Sequence, residues 1–211
     1  QLRMKGSVQL LRRFLAKAPS PPLLFARSSR RTGAVSSMAG AQGSNAVQNP
    51  AELVCVVDEH NRVTGSATRA EMRARNLIHR CSYVMIFNDE GQLFVQKRVD
   101  FKETYPSFYD PAPGGVVGHG EPYEENAARE IEEEMGVTGV ALKREFDFQF
   151  RDETSHVWGR LFSCTYNGPF RLQESEVASA HFMDIEQVKD LIDSGIVCPD
   201  SAQAVSQYYK W

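Results

Sequence analysis

Residues 115–137 read GVVGHGEPYEENAAREIEEEMGV. The stretch from Pro122 to Met135 is the strongest helix in the chain, and the fold is read outward from it. Ala127, Ala128, Ile131 and Met135 recur at helical spacing and form an apolar side fit to pack on a sheet. Pro122 suits the first turn, where a missing N–H costs little, and Gly136 suits the C-terminal stop. Glu130, Glu133 and Glu134 stand at i, i+3 and i+4, which places three carboxylates on one face. Bare, they would repel one another. A hard divalent cation such as Mg²⁺ removes that penalty, because it takes oxygen ligands and also bridges phosphates. Arg129 lies one turn before Glu133 and can orient a carboxylate through a forked hydrogen bond. A solvated acidic helix face has the same composition, and Glu124, Glu125 and Glu132 are assigned to one. Spacing alone does not choose between the two readings.

Strand and turn signals surround this helix. Leu53 to Val57 and the run from Val63 flank a turn at Asp58-Glu59-His60-Asn61 and predict a hairpin. Arg69 to Leu77 predicts a short helix. Tyr83 to Phe87 and Leu93 to Val99 flank Asn88-Asp89-Glu90-Gly91, a second hairpin with Gly where positive φ is favoured. Tyr105 to Pro113 reads as loop. Phe146 to Arg151 and Val157 to Thr165 predict two more strands, and Ala180 to Met183 a short one. Helices are expected at Ile185 to Ile192 and Ser201 to Trp211. Strands and helices mix without a strict βαβ repeat, so the class is α/β.

The formal net charge of -3 conceals an asymmetry. Residues 1–50 carry eight Lys and Arg and no acid, leaving 16 basic against 27 acidic residues in the rest. So acidic a body, at -11, repels a nucleic-acid backbone. The Ser-rich, Arg-rich, acid-free stretch 1–50 has the composition of a transit peptide for a mitochondrion or plastid. Initiation at Met38 would give a cytosolic form. The domain itself is expected over residues 51–211. No apolar run of about 18 residues is present to span a membrane. Cys55, Cys81, Cys164 and Cys198 lack any paired spacing and read as free, buried thiols.

The segment 115–137 resembles the Nudix box at every specified position: Gly115, Glu121, Arg129, Glu130, Ile131, Glu133, Glu134, Gly136 and Val137. Nine fixed positions over 23 residues make a specific match. The resemblance implies a mixed β-sheet sandwiched between helices and hydrolysis of a small organic diphosphate, such as a nucleoside diphosphate derivative. It implies Mg²⁺ or Mn²⁺ as cofactor, held by Glu130, Glu133 and Glu134 with the Gly115 carbonyl. Arg129 would orient a glutamate, and Glu121 would support the helix or a metal-bound water. Glu176, in a loop before the strand at Ala180, is the first choice for an additional ligand or base, ahead of Glu174.

His79, Phe87-Asn88, Gly91-Gln92-Leu93, Lys97-Arg98 and Tyr105-Pro106-Ser107-Phe108-Tyr109 further resemble isopentenyl diphosphate isomerases. That family has a catalytic Cys immediately before the box Gly, where this chain has Gly114, and a metal-binding His where it has Val116. The chain therefore reads as an isomerase-like Nudix hydrolase. The isomerase itself and a non-catalytic diphosphate-binding protein are the alternatives.

Outside the box, Lys97, Arg98 and Lys102 are candidates to meet substrate phosphates. His119 is read as a solvated loop residue that also stands near the chemistry. His156, Trp158 and Phe162 are read as core. Tyr105, Phe108 and Tyr109 either stack on a flat group or anchor their loop. Leu191, Ile192, Tyr208, Tyr209 and Trp211 serve helix packing or a homodimer surface.

Overall fold

The computed structural model describes residues 49–211, which belong to one compact unit. The basic leader lies outside the described residues. In chain order the elements are β1 (Leu53–Val57), β2 (Val63–Thr68), α1 (Arg69–Ala74), β3 (His79–Phe87), β4 (Leu93–Arg98), β5 (Tyr109–Asp110), α2 (Tyr123–Met135), β6 (Lys143–Arg151), β7 (His156–Thr165), β8 (Val177–Met183), α3 (Ile185–Asp193) and α4 (Pro199–Tyr209).

One mixed sheet of eight strands carries the fold. β3 is its axis. It pairs in parallel with β7 along its whole length, from His79 opposite Val157 to Phe87 opposite Thr165. β6 joins β7 antiparallel, and β8 joins β4 antiparallel. β3 touches β1 and β4 only at its ends, through Val56–His79 and Phe87–Leu93. The gap beside its first half is filled by residues 113–119. Ser82 N–H donates to the Gly115 carbonyl at 3.0 Å and Val117 N–H to that of Arg80 at 2.9 Å. On the other side, Cys55 N–H donates to Val117 and His119 N–H to Leu53. The start of the box is therefore wedged as an extra ribbon between β1 and β3.

Period-2 alternation sends apolar side chains to both faces of β3. Tyr83 and Met85 join Leu93, Phe148, Leu161, Val188 and Ala204 in a core under α3 and α4. Val84 and Ile86 join Phe94, Ala127, Ile131, Met135 and Phe162 in a core under α2. The sheet is thus covered on both faces, an α/β/α sandwich. Leu191, Ile192, Tyr208 and Tyr209 pack against the first core, and Trp211 stacks on Tyr209. All four cysteines are free and buried. Among the described residues no helix is long and apolar enough to cross a membrane.

Several expected boundaries move. β3 begins at His79 rather than Tyr83, and β6 at Lys143 rather than Phe146. In both cases pairing with β7 extends the strand through residues of mixed polarity. The Tyr105–Pro113 loop contains the two-residue strand β5. Pro122 caps α2 from just outside it, and Gly136 ends it at φ 70° in the left-handed region. Ala128 is exposed, and Asn126 takes a buried place on the helix instead. Of His156, Trp158 and Phe162, only Phe162 is fully buried.

The wedge leaves no room for a side chain at Gly114. A Cβ there would lie 1.9 Å from the Ser82 carbonyl oxygen, a backbone atom that cannot swing aside. Gly114→Ala is expected to lower the unfolding free energy by about 3 kcal/mol. A urea midpoint indistinguishable from the wild type would refute the wedge.

Candidate functional site

A cavity of about 360 Å³ opens where α2, the 113–119 ribbon, β3, α1 and the loops after β4 and β7 converge. Its lining brings together Gly115, Arg129, Glu130, Glu133, Glu134 and Glu176, along with Arg98 and Lys102. Seven carboxylates face five Lys and Arg side chains there, a formal excess of two negative charges.

Glu130 is positioned by contact with backbone. A Cβ on Gly115 would fall 2.2 Å from the Glu130 carboxyl carbon. Only glycine lets this carboxylate lie against the ribbon. The Gly115 carbonyl accepts from Ser82 N–H and keeps one lone pair uncommitted by that bond. Burial pushes the Glu130 carboxyl up to about 7; Arg129 opposes the rise and Glu134 and Glu133 add to it. Glu134 is buried too, its pKa raised first by desolvation, and accepts from Gln96 Nε2 at 3.0 Å. Glu133, the third of the set, is the exposed one, with 56% of its side chain open.

Arg129 binds three carboxylates at once. Its fork reaches back to Glu121, through Nε at 3.0 Å and Nη2 at 3.3 Å. Its Nη1 meets Glu130 at 2.9 Å and Glu133 at 3.2 Å. Glu121 also accepts from Gly118 N–H and Asn126 Nδ2. Burial works against its ionisation, but these hydrogen bonds outweigh it and hold its carboxyl below the usual range. Both Glu121 oxygens are thus committed within the protein, and the residue lies outside the cavity lining. Of the two roles expected for it, support of the helix and support of a metal-bound water, these bonds serve the first: it braces Arg129, α2 and the ribbon.

Register separates the two expected phosphate contacts. Phe94, Gln96 and Arg98 share one face of β4; Lys97 faces the other way. Lys97 lies over the Tyr109 ring, 5.5 Å from its centre, and does not line the cavity. Arg98 does, held by the Thr104 carbonyl and 4.0 Å from Asp110. Lys102 is largely covered and touches the Glu176 carboxylate. Desolvation lowers its ammonium to about 8 against the pull of Glu134 and Glu130. Glu174 and His119 are exposed and stand outside the lining. Tyr105 lines the cavity with its hydroxyl fixed on Asp152 at 2.7 Å.

Other residues of the site carry weak sequence signals. Gln96, behind the lining and bonded to Glu134, shows in the sequence only as a polar residue in an apolar strand register. Cys81 and Cys198 reach the cavity, where burial keeps both thiols protonated. Tyr83 donates to Asp200 at 2.9 Å and Ser201 to Asp110 at 2.6 Å, tying α4 to the sheet. His79 is 5% exposed, and its Nδ1 lies 2.9 Å from the Leu77 carbonyl. A carbonyl only accepts, so Nδ1 carries the proton and Nε2 is the acceptor.

The carboxylates fit a divalent cation in chemistry and placement. They are oxygen donors, Glu134 is buried and Glu130 largely covered, and the ribbon omits a Cβ to admit Glu130. Among the described residues they are not drawn into a ready-made cage of three or more acidic, His or Cys groups. The physical reason is visible: Arg129 and Lys102 stand among them.

A model of the NUDIX domain matches residues 77–197. An uncharacterized Nudix hydrolase of Pseudomonas aeruginosa is 42% identical over 158 residues, which cover 75% of this chain and 94% of that protein. The uncharacterized Nudix hydrolase YfcD of Escherichia coli is 39% identical over 159 residues, covering 75% and 87%. Among solved structures, DR0079 from Deinococcus radiodurans aligns with a TM-score of 0.67 at 23% identity, over 74% of this chain and 98% of that one. That likeness shows a shared fold.

Burial lowers the His79 imidazole to about 4, so the folded protein resists its protonation. As pH falls from about 6.5 to 4 the unfolded chain takes up this proton first, and stability is lost across that window. The loss is up to about 3 kcal/mol. His79→Gln is expected to remove it. Urea unfolding of both proteins at pH 7 and pH 4.5 isolates the effect from the buried carboxylates, which have the opposite sign. Equal acid sensitivity in the two would disprove the assignment.

Proposed function

The chain belongs to the Nudix family, and from that premise we propose that it hydrolyses the diphosphate linkage of a small organic diphosphate, with Mg²⁺ or Mn²⁺ bound at Glu130, Glu133, Glu134 and the Gly115 carbonyl. The observation that carries this reading is the pairing of buried carboxylates with Arg98 and Lys102 in one cavity. A surplus of negative charge on α2 calls for a cation, and the cations opposite call for an anion. A metal-bridged diphosphate satisfies both.

The metal would neutralise charge on the phosphates and lower the pKa of an attacking water. The protein's own groups do the rest. Arg129 holds Glu130 and Glu133 in fixed orientation and is itself held by Glu121. Gln96 fixes Glu134 from below. Arg98 and Lys102 face the phosphates, and Glu176, beside Lys102, stands where it adds a further metal ligand or takes a proton from water. An unspecified nucleoside diphosphate derivative fits the hydrolase reading, and Tyr105 gives the wall an aromatic surface for a flat group.

One observation speaks against the isomerase alternative. Residue 114, where the isomerases carry their catalytic thiol, has no space for a Cβ.

A screen of the full chain tests the proposal. It uses Mg²⁺ and then Mn²⁺ against nucleotide sugars, dinucleotide cofactors, coenzyme A derivatives, nucleoside triphosphates and isoprenoid diphosphates. Metal-dependent turnover is expected with one class. Glu133→Gln and Glu134→Gln should each cost on the order of 10²-fold in rate and keep the fold. Unchanged rates in both variants would sink the metal assignment. Tight binding of one compound without phosphate release would leave a binding protein, and deuterium uptake into isopentenyl diphosphate would restore the isomerase.

A further inference from the structure

Two cations from the chain itself occupy the carboxylate cluster, and they are held differently. Arg129 is locked: its planar guanidinium engages Glu121, Glu130 and Glu133 together. Lys102 comes from the loop after β4. Its ammonium is a point charge on a flexible four-carbon stem, in contact with Glu176 and drawn also by Glu134 and Glu130. Neighbouring Arg98 repels it and is itself tied to the Thr104 carbonyl. Of Arg129, Arg98 and Lys102, Lys102 is held by the least directional contact.

A divalent cation approaching Glu134 and Glu176 meets charge that Lys102 already offsets, by contact at Glu176 and through space at Glu134. Both positive charges on one buried carboxylate pair repel each other strongly, because little water screens them. The ammonium must give way. The negative group nearest to hand is then the phosphate that the metal brings with it.

We propose that Lys102 is an exchangeable counter-charge: it neutralises Glu134 and Glu176 until metal takes them, and then turns to the substrate's diphosphate. The inference rests on the metal reading above. It makes Lys102 a positioning residue that couples the two binding events. Metal weakens the hold of the carboxylates on Lys102 and thereby frees a phosphate ligand. By reciprocity, a diphosphate that captures Lys102 strengthens metal binding by the same factor. The arrangement also biases the site against holding metal in the absence of a diphosphate.

Mn²⁺ binding to the full chain, followed by electron paramagnetic resonance with and without methylenediphosphonate, tests this. The variants are Lys102→Gln, which removes the charge, and Lys102→Arg, which keeps it. Without the diphosphonate, Lys102→Gln is expected to bind Mn²⁺ about tenfold more tightly than wild type, and Lys102→Arg no more tightly than wild type. Adding diphosphonate should tighten wild-type Mn²⁺ binding by about tenfold or more, and tighten Lys102→Gln by less than about threefold. Thermal melts verify that each variant is folded. Wild-type Mn²⁺ affinity in Lys102→Gln, or an undiminished response to diphosphonate, would overturn the exchange and leave the metal site standing. Should Lys102→Gln not fold, a wild-type affinity indifferent to diphosphonate overturns it equally, as does tight Mn²⁺ binding by Lys102→Arg. No Mn²⁺ binding by the wild type would overturn the metal reading, and the exchange with it.

Discussion

Everything in the site hangs on how closely α2 approaches the 113–119 ribbon. Glu130 can turn its carboxylate inward because Gly115 has no side chain. The ribbon can lie flat on β3 because Gly114 has none either. Asn126 then clasps the contact, accepting from Ser82 Oγ and donating to the Val116 carbonyl and to Glu121. A helix that packs on a sheet through Ala127, Ile131 and Met135 is ordinary. One that also sets an acid, Glu130, against bare backbone needs that approach.

Burying those acids is unfavourable on its own terms, as the upward push on Glu130 and Glu134 records. The fold offsets the cost with cations of its own. Arg129 serves the outer end of the cluster and Lys102 the inner one, each under a different constraint. Glu121 is the hidden partner in this balance. Its carboxylate never faces the cavity, yet without it Arg129 would lose the fork that aims its remaining nitrogen at Glu130 and Glu133.

Much of this was readable from the chain, and the failures are instructive. Local signals found the four helices of the described residues and the hairpin of β1 and β2, because capping residues, turn residues and 3.6-residue periodicity act within one element; β3 and β4 meet only beside their turn, and β4 runs instead along β8. They missed the beginnings of β3 and β6, whose polar residues are strands because β7, and for β3 also the 113–119 ribbon, lie alongside. The carboxylate triad was legible because it sits on one helix. Assigning Lys97 and Arg98 together overlooked that neighbouring strand residues face opposite ways. The bond from Gln96 to Glu134 and the contact from Lys102 to Glu176 join separate elements, and no pattern in one chain announces such meetings. Glu121 reads as supporting the helix or a metal-bound water, and geometry shows both its oxygens engaged by Arg129, Gly118 and Asn126.

The parallel pairing of β3 with β7 sets an order of assembly. Parallel neighbours cannot be joined by a tight turn, and here α2 and β6 lie in the connection. During synthesis, then, the acid-bearing helix leaves the ribosome well before the strand that completes the sheet beneath it. Until residues 156–165 emerge, β3 has an open edge and the second core lacks Phe162 and Cys164. Contacts of such long sequence separation form slowly. The acid-bearing helix is therefore made early and seated late, so a nascent chain carries Glu130 and Glu134 in water, without the covered geometry they have in the fold.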